Sequence, residues 1–282
     1  MGSVGFVGLG NIGAPMARRL LAWPEGLVVF DVRAEACEPF VRKGATAAAS
    51  PREVAERCDV ISVMVQDEAQ VRDVLSGPDG LLAGARAGTA VAVHSTISAD
   101  GAVALAELAA SAGVALVDAP VSGGAMGAHE GTLAIMVGGE EEAVERCRGP
   151  FALMASLVTR FGPVGAGTNA KIARNLITFA SFAVVGEASR LAAAAGLDLV
   201  ALGEVVRHSD RVTGGPGSIM LRDSAAPMAD DDGLRPIFGH TATLGAKDLD
   251  LARDLAEEVG VEAPFAALAA RLLPAALGLT DP

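Results

Sequence analysis

Residues 4–13 constrain the fold of this chain more than any other stretch. A short apolar run, Val4 to Val7, passes directly into Gly8-Leu9-Gly10-Asn11-Ile12-Gly13, and a helical pattern carrying Met16, Ala17, Leu20 and Leu21 follows. Each glycine has its own physical task in such a unit. Gly8 permits the tight turn out of the strand, Gly10 lets a pyrophosphate come close to the backbone, and Gly13 lets helix and strand pack closely. The helix start then offers unpaired N–H groups and a positive dipole end to phosphate. The glycine spacing alone is a common match, and its position between strand and helix is what makes it a dinucleotide cradle. Gly8, Leu9, Gly10, Asn11, Ile12 and Gly13 are therefore candidate cofactor-binding residues.

Composition excludes several other classes. At 282 residues the chain has room for one large or two moderate domains. Hydrophobic residues make up 51% and charged residues 20%, the balance of a globular protein. A net charge of −12 would repel a phosphate backbone, so no nucleic-acid partner is expected. The apolar excess comes mostly from alanine, and the run from Leu191 to Leu202 is cut by Gly196 and Asp198, so no membrane span is expected either. The first residues lack the basic segment, apolar block and cleavage site of a signal peptide. Cys37, Cys58 and Cys147 are odd in number and lack metal-ligand spacing, which reads as free thiols in a reducing, cytoplasmic compartment without a metal site.

The first half alternates strand-like and helix-like segments. Strands are predicted at Val28–Phe30, Val60–Val63, Ala90–Val93 and Val114–Val117, with helices such as Pro51–Arg57 and Ala99–Ser111 between them. Short, nearly continuous apolar strands separated by helices imply a parallel sheet covered on both faces. Connections shorten near Leu133–Val137 and Ser156–Phe161, which leaves room for an antiparallel part. After Gly162-Pro163 a single helical pattern runs from Ala166 to about Ala195, and no convincing strand follows it. The expected architecture is α/β: a Rossmann-type domain over residues 1–163, then an all-helical domain over 164–282, joined by the long helix. That helix is apolar on more than one face, which predicts a partner chain packed against it.

Four groups outside the glycine turn could carry chemistry. Asp31 ends the second strand, where an acidic side chain can hydrogen-bond the ribose hydroxyls of the adenosine half and repel a 2′-phosphate. NAD is thus expected over NADP, although Arg33 offers a charge that could admit NADP. Asp118-Ala119-Pro120-Val121-Ser122-Gly123-Gly124 follows a strand, and its Ser-Gly-Gly run offers a hydroxyl and open backbone N–H groups suited to a carboxylate. Read alone, this is also an ordinary loop. Lys171 lies in the first turns of the long helix with Asn175 on the same face. An inward lysine there would be partly desolvated and serve as a general acid/base, whereas a solvated lysine near a helix start is the simpler account of the residues alone. Lys247-Asp248 is a second polar pair on an apolar helix, open to reading as a surface ion pair.

These segments, in this order, resemble the β-hydroxyacid dehydrogenases, the family of 3-hydroxyisobutyrate dehydrogenase and tartronate semialdehyde reductase. Gly5 to Ala17 is similar to that family's opening signature, with Ile12 where methionine is usual. Asp118 to Gly124 resembles its substrate loop, Gly165-Ala166-Gly167-Thr168-Asn169-Ala170-Lys171 the segment with its catalytic lysine, and Lys247-Asp248-Leu249 its late Lys-Asp motif. The resemblance implies an NAD(P)-linked dehydrogenase or reductase acting on a small 3-hydroxy acid or its semialdehyde, built as a homodimer or homotetramer. By the same resemblance Lys171 accepts the substrate hydroxyl proton, and Ser122, Gly123, Gly124 and Asn175 hold the carboxylate. Lys247 lies near nicotinamide and substrate, the His94-Ser95-Thr96 segment, Thr96 in particular, on the nicotinamide side, and Met64 and Val65, with Gln66, along adenosine and ribose. Arg174 stands where the family usually has asparagine. It either binds an additional anionic group on the substrate or pairs with a carboxylate such as Asp248. His240, two turns before Lys247 on the same helix face, is a further residue that could line the site. Imine or ketone reduction, and a non-catalytic cofactor-binding module, are the competing readings of the same scaffold.

Overall fold

The structure, a computed structural model, describes residues 2–219, 221–222 and 226–280. Its elements run β1 (Ser3–Val7), α1 (Gly13–Arg19), β2 (Leu27–Phe30), α2 (Glu38–Val41), β3 (Thr46–Ala47), α3 (Pro51–Arg57), β4 (Cys58–Val63), α4 (Glu68–Ser76), β5 (Ala90–Val93) and α5 (Ala99–Ser111). They continue with β6 (Ala115–Asp118), β7 (Val121–Ser122), α6 (Gly124–Glu130), β8 (Leu133–Gly138), α7 (Glu141–Met154), β9 (Ala155–Gly162), α8 (Ala166–Ala194), α9 (Leu199–Thr213), α10 (Arg235–Glu258) and α11 (Pro264–Ala276). By their contacts they divide into two compact units, Met1–Arg174 and Asn175–Pro282.

The first unit holds one sheet in the order β3-β2-β1-β4-β5-β6-β8-β7, with β9 paired to β8. The pairs from β3 through to β6 are parallel, as the apolar runs predict. The antiparallel part anticipated near Leu133 is β8, which runs against β6 and β7 and parallel to β9. Two-sided burial explains the near-continuous strands. On β5, Ala90 and Ala92 face a cluster with Phe6, Met16, Leu20, Phe151 and Met154, while Val91 and Val93 face Ile61, Val71, Leu75, Leu81 and Leu105. Helices start where side chains can accept their first N–H groups. Ser50, Asp67 and Ser98 do this for α3, α4 and α5.

The second unit is helical, with no strand among its described residues. Met228, Phe238 and Leu277 form its small buried cluster. Glu187, buried on α8, accepts from the N–H groups of Phe265 and Ala266 at 2.9 and 3.0 Å and so caps α11. Among the described helices, α8 alone is long and apolar enough to cross a membrane by length and composition, with a mean hydropathy of 1.4 over its most apolar window. The interrupted run at Leu191–Leu202 therefore understated how apolar the preceding turns are.

Candidate active site

The parallel order reverses at β1, with β2 on one side and β4 on the other, and the glycine turn leaves the C-terminal end of that strand. Ligands of doubly wound sheets occupy the crevice at such a point. A cavity of about 600 Å³ opens there, lined by Gly8, Gly10, Asn11, Ile12 and Gly13 together with Asp31, Met64 and Val65. Steric tests at the three glycines separate their tasks. Gly8 has φ +95°, and a Cβ on it would strike the Met64 carbonyl oxygen. A Cβ on Gly13 would strike the Gly8 carbonyl oxygen, so helix and turn close on each other there. Around Gly10 a Cβ would meet nothing within 4 Å, because that position borders the open cavity. The residues present thus fit a dinucleotide, with backbone free to approach a pyrophosphate at the start of α1.

Asp31 braces this turn from the end of β2. Its Oδ2 accepts from the Leu9 N–H at 2.7 Å, and its Oδ1 accepts from Arg33 N at 2.9 Å and Arg33 Nε at 3.2 Å. Burial pushes its carboxyl up, and the N–H groups of Arg33 and Leu9 with the Arg33 guanidinium more than offset that, leaving the pKa below the usual carboxylate value. Leu9 is buried, does not line the cavity, and contributes its N–H to this brace. Val65 is held by Ser95, whose Oγ accepts from Val65 N at 2.9 Å and donates to Val65 O at 2.8 Å.

Of the His94-Ser95-Thr96 segment, Thr96 is the exposed member. His94 is buried, edge-on to Phe151, with Nδ1 2.7 Å from the Ala119 carbonyl oxygen and Nε2 3.0 Å from Ser62 Oγ. A carbonyl only accepts, so the proton sits on Nδ1 and Ser62 donates to Nε2. Burial holds the His94 pKa down at about 4, with the Ala119 bond acting the other way. The ring is therefore a neutral structural link between β5 and the start of the Asp118–Gly124 loop.

That loop and the start of α8 meet. Lys171 Nζ donates to the Val121 carbonyl oxygen at 2.7 Å, which sets the amine one residue from Ser122-Gly123-Gly124. Gly123 and Gly124 are exposed, and their φ values of +130° and +61° belong to glycine. Burial lowers the Lys171 pKa, and the positive charge of Arg174 lowers it further. Asp118, unremarked in the sequence except as the start of its loop, turns out to be buried and to accept from Gly165 N and Thr168 N at 2.8 and 2.6 Å. No local signal announces it, since its partners lie 47 and 50 residues away. In the second unit, half-buried Asn175 continues α8 one turn beyond Lys171, exposed Lys247 pairs with Asp248 at 3.0 Å, and His240 is exposed.

The doubly wound sheet and its glycine turn define a dinucleotide-binding protein. Residues 3–162 match the family described as the NAD binding domain of 6-phosphogluconate dehydrogenase. Residues 165–280 match the family described as the NAD-binding domain of NADP-dependent 3-hydroxyisobutyrate dehydrogenase. An NAD-dependent L-serine dehydrogenase of Pseudomonas aeruginosa is 37% identical over 96% of this chain and 91% of its own length. The mitochondrial 3-hydroxyisobutyrate dehydrogenase of Mus musculus is 35% identical over 90% of this chain and 75% of its own. A crystal structure of an oxidoreductase from Mycobacterium avium 104 superposes with a TM-score of 0.94 at 49% identity, covering 99% of both chains. The chain belongs to the β-hydroxyacid dehydrogenase family and is an NAD(P)-dependent hydroxyacid dehydrogenase.

Proposed function

We propose that the protein oxidises a small 3-hydroxy acid, or reduces the matching semialdehyde, with Lys171 as general acid/base and NAD as its preferred cofactor. The observation that carries this reading is the bond from Lys171 Nζ to the Val121 carbonyl, which keeps a half-buried amine beside the Ser122-Gly123-Gly124 turn. Bound nicotinamide supplies the acceptor or donor of the hydride. In the oxidative direction the neutral Lys171 amine takes the hydroxyl proton as the hydride leaves the adjoining carbon. In the reductive direction the ammonium returns that proton to the carbonyl oxygen. The Ser122 hydroxyl and the backbone N–H groups of Gly123 and Gly124, at the left-handed turn, hold the substrate carboxylate.

Asp31 supports the preference for NAD. A carboxylate has about four acceptor sites, and three N–H donors already occupy it. For Asp31 to take both ribose hydroxyls, the Arg33 side chain has to swing off it, and the remaining negative charge disfavours a 2′-phosphate. Three buried, unpaired cysteines are in keeping with a cytoplasmic enzyme. A second copy of the chain covers the apolar side chains that α8 exposes, giving a homodimer or homotetramer.

Turnover of NAD+ and NADP+ with 3-hydroxyisobutyrate, L-serine and a two-carboxylate hydroxy acid, in the native chain and in Lys171→Ala, tests the reading. Lys171→Ala is expected to lower kcat by about 10²- to 10⁴-fold while cofactor affinity stays the same. Equal rates in the two proteins would sink the assigned mechanism, and higher kcat/KM with NADP+ would overturn the cofactor preference.

A further inference from the structure

The start of α8 is held to the sheet at two points, the end of β6 and the start of β7. Asp118, the last residue of β6, is 1% exposed and uses both carboxylate oxygens on the residues that lead into and open α8. Oδ1 accepts from Gly165 N at 2.8 Å and Oδ2 from Thr168 N at 2.6 Å. Three residues further along the same segment, the Val121 carbonyl receives Lys171 Nζ at 2.7 Å. The stretch from Asp118 to Val121 therefore grips α8 at its first N–H groups and again at the lysine, about 9 Å further along at 1.5 Å per residue. Backbone packing leaves little slack between the grips. A Cβ on Gly167 would lie 2.5 Å from the Met136 carbonyl oxygen and 2.8 Å from that of Asp118, and one on Gly138 would strike the Asp118 carboxylate.

We infer that Asp118 is a positioning residue for the reaction: its carboxylate fixes the height and rotation of the start of α8 and so aims Lys171 at the Ser122-Gly123-Gly124 turn. The inference rests on the role proposed above for Lys171. A carboxylate suits the task because both facing groups are donors and both of its oxygens accept. Asparagine, almost identical in shape, turns an NH2 toward one of those donors, and two N–H groups cannot face each other in a buried site without one moving.

Asp118→Asn tests this, first by crystallography. The Lys171 Nζ to Val121 O separation is expected to open beyond 3.5 Å, the limit of a hydrogen bond, and a bond kept at 2.7 Å overturns the inference. With 3-hydroxyisobutyrate or L-serine and NAD+, kcat is expected to fall about 100-fold, as for a small misplacement of a catalytic group, with the Kd for NAD+ unchanged. In a Lys171→Ala background the same substitution is expected to cost nothing more, and a full additional loss there shows that Asp118 acts by another route. If Asp118→Asn does not fold, Gly167→Ala wedges the same helix start off the Met136 carbonyl and is expected to open the same lysine bond, whose persistence again overturns the inference. Undiminished turnover by Lys171→Ala would instead overturn the reading of Lys171, and the crystallographic result would stand apart from it.

Discussion

Lys171 and Arg174 are one helical turn apart, and at that spacing the guanidinium adds to burial in lowering the proton affinity of the lysine. Burial depresses its pKa first and the Arg174 guanidinium depresses it further. In the mechanism proposed above, oxidation of an alcohol needs the neutral Lys171 amine, so the rate is expected to rise with pH through the Lys171 pKa. Arg174→Asn removes one of the two depressing causes and raises that pKa. The rising limb of the oxidation profile should then move to higher pH, and the falling limb of the reduction profile should move the same way. A profile that stays put, or moves toward acid, contradicts the arrangement. The same variant reads the substrate-binding role suggested for Arg174, because loss of preference for a two-carboxylate substrate would mark the guanidinium as its binding group. At this scale the sequence was informative where residues act through near neighbours, as in the glycine turn. It named Asp118 and Ser95 only as members of their segments and did not reveal their partners, which are distant backbone N–H groups for Asp118 and the N–H and carbonyl of Val65 for Ser95.

At the scale of elements, the strand–turn–helix unit of β1 and α1 separates two glycines that look alike in the sequence. Gly13→Ala places a methyl against the Gly8 carbonyl oxygen, so thermal stability and NAD affinity should both fall. Gly10→Ala meets no protein atom within 4 Å, so its melting temperature should match the native chain while NAD binds more weakly. Calorimetric titration beside thermal melting checks both, and tight NAD binding by a stable Gly10→Ala protein would contradict the approach of the pyrophosphate to that residue. The short apolar strands were legible because burial on both faces leaves a nearly continuous apolar run, and the long helix because a proline-free helical pattern continues through it. The helical pattern read as Ala166 to about Ala195 is α8, Ala166–Ala194. The two-residue strands β3 and β7 were not legible. Thr46 and Ala47 are exposed and carry no apolar run, and Val121-Ser122 lies inside what reads as a loop.

For the whole molecule, the apolar surface of α8 carries the clearest expectation. Phe179 and Phe182 stand edge to face, 5.9 Å apart, yet remain 62% and 65% exposed, and Leu176 nearby is 70% exposed. Large apolar side chains gathered on one helix mark an interface more often than a solvent face. Analytical ultracentrifugation of the native chain should therefore give a dimer or tetramer, and the double variant Phe179→Glu/Phe182→Glu should sediment as a monomer. A monomeric native chain would rule this out. A further consequence follows from how the first unit is braced. Asp31 holds the Leu9 N–H, Ser95 holds both peptide groups of Val65, Asp118 holds the Gly165 and Thr168 N–H groups, and Lys171 rests on the Val121 carbonyl. Every one of these braces ends on a main-chain atom, which no substitution at the braced residue removes unless it introduces proline. Substitutions at Arg174 or on the rim of the Ser-Gly-Gly turn leave these braces in place, so the side chains proposed to meet the substrate can change within one inherited frame.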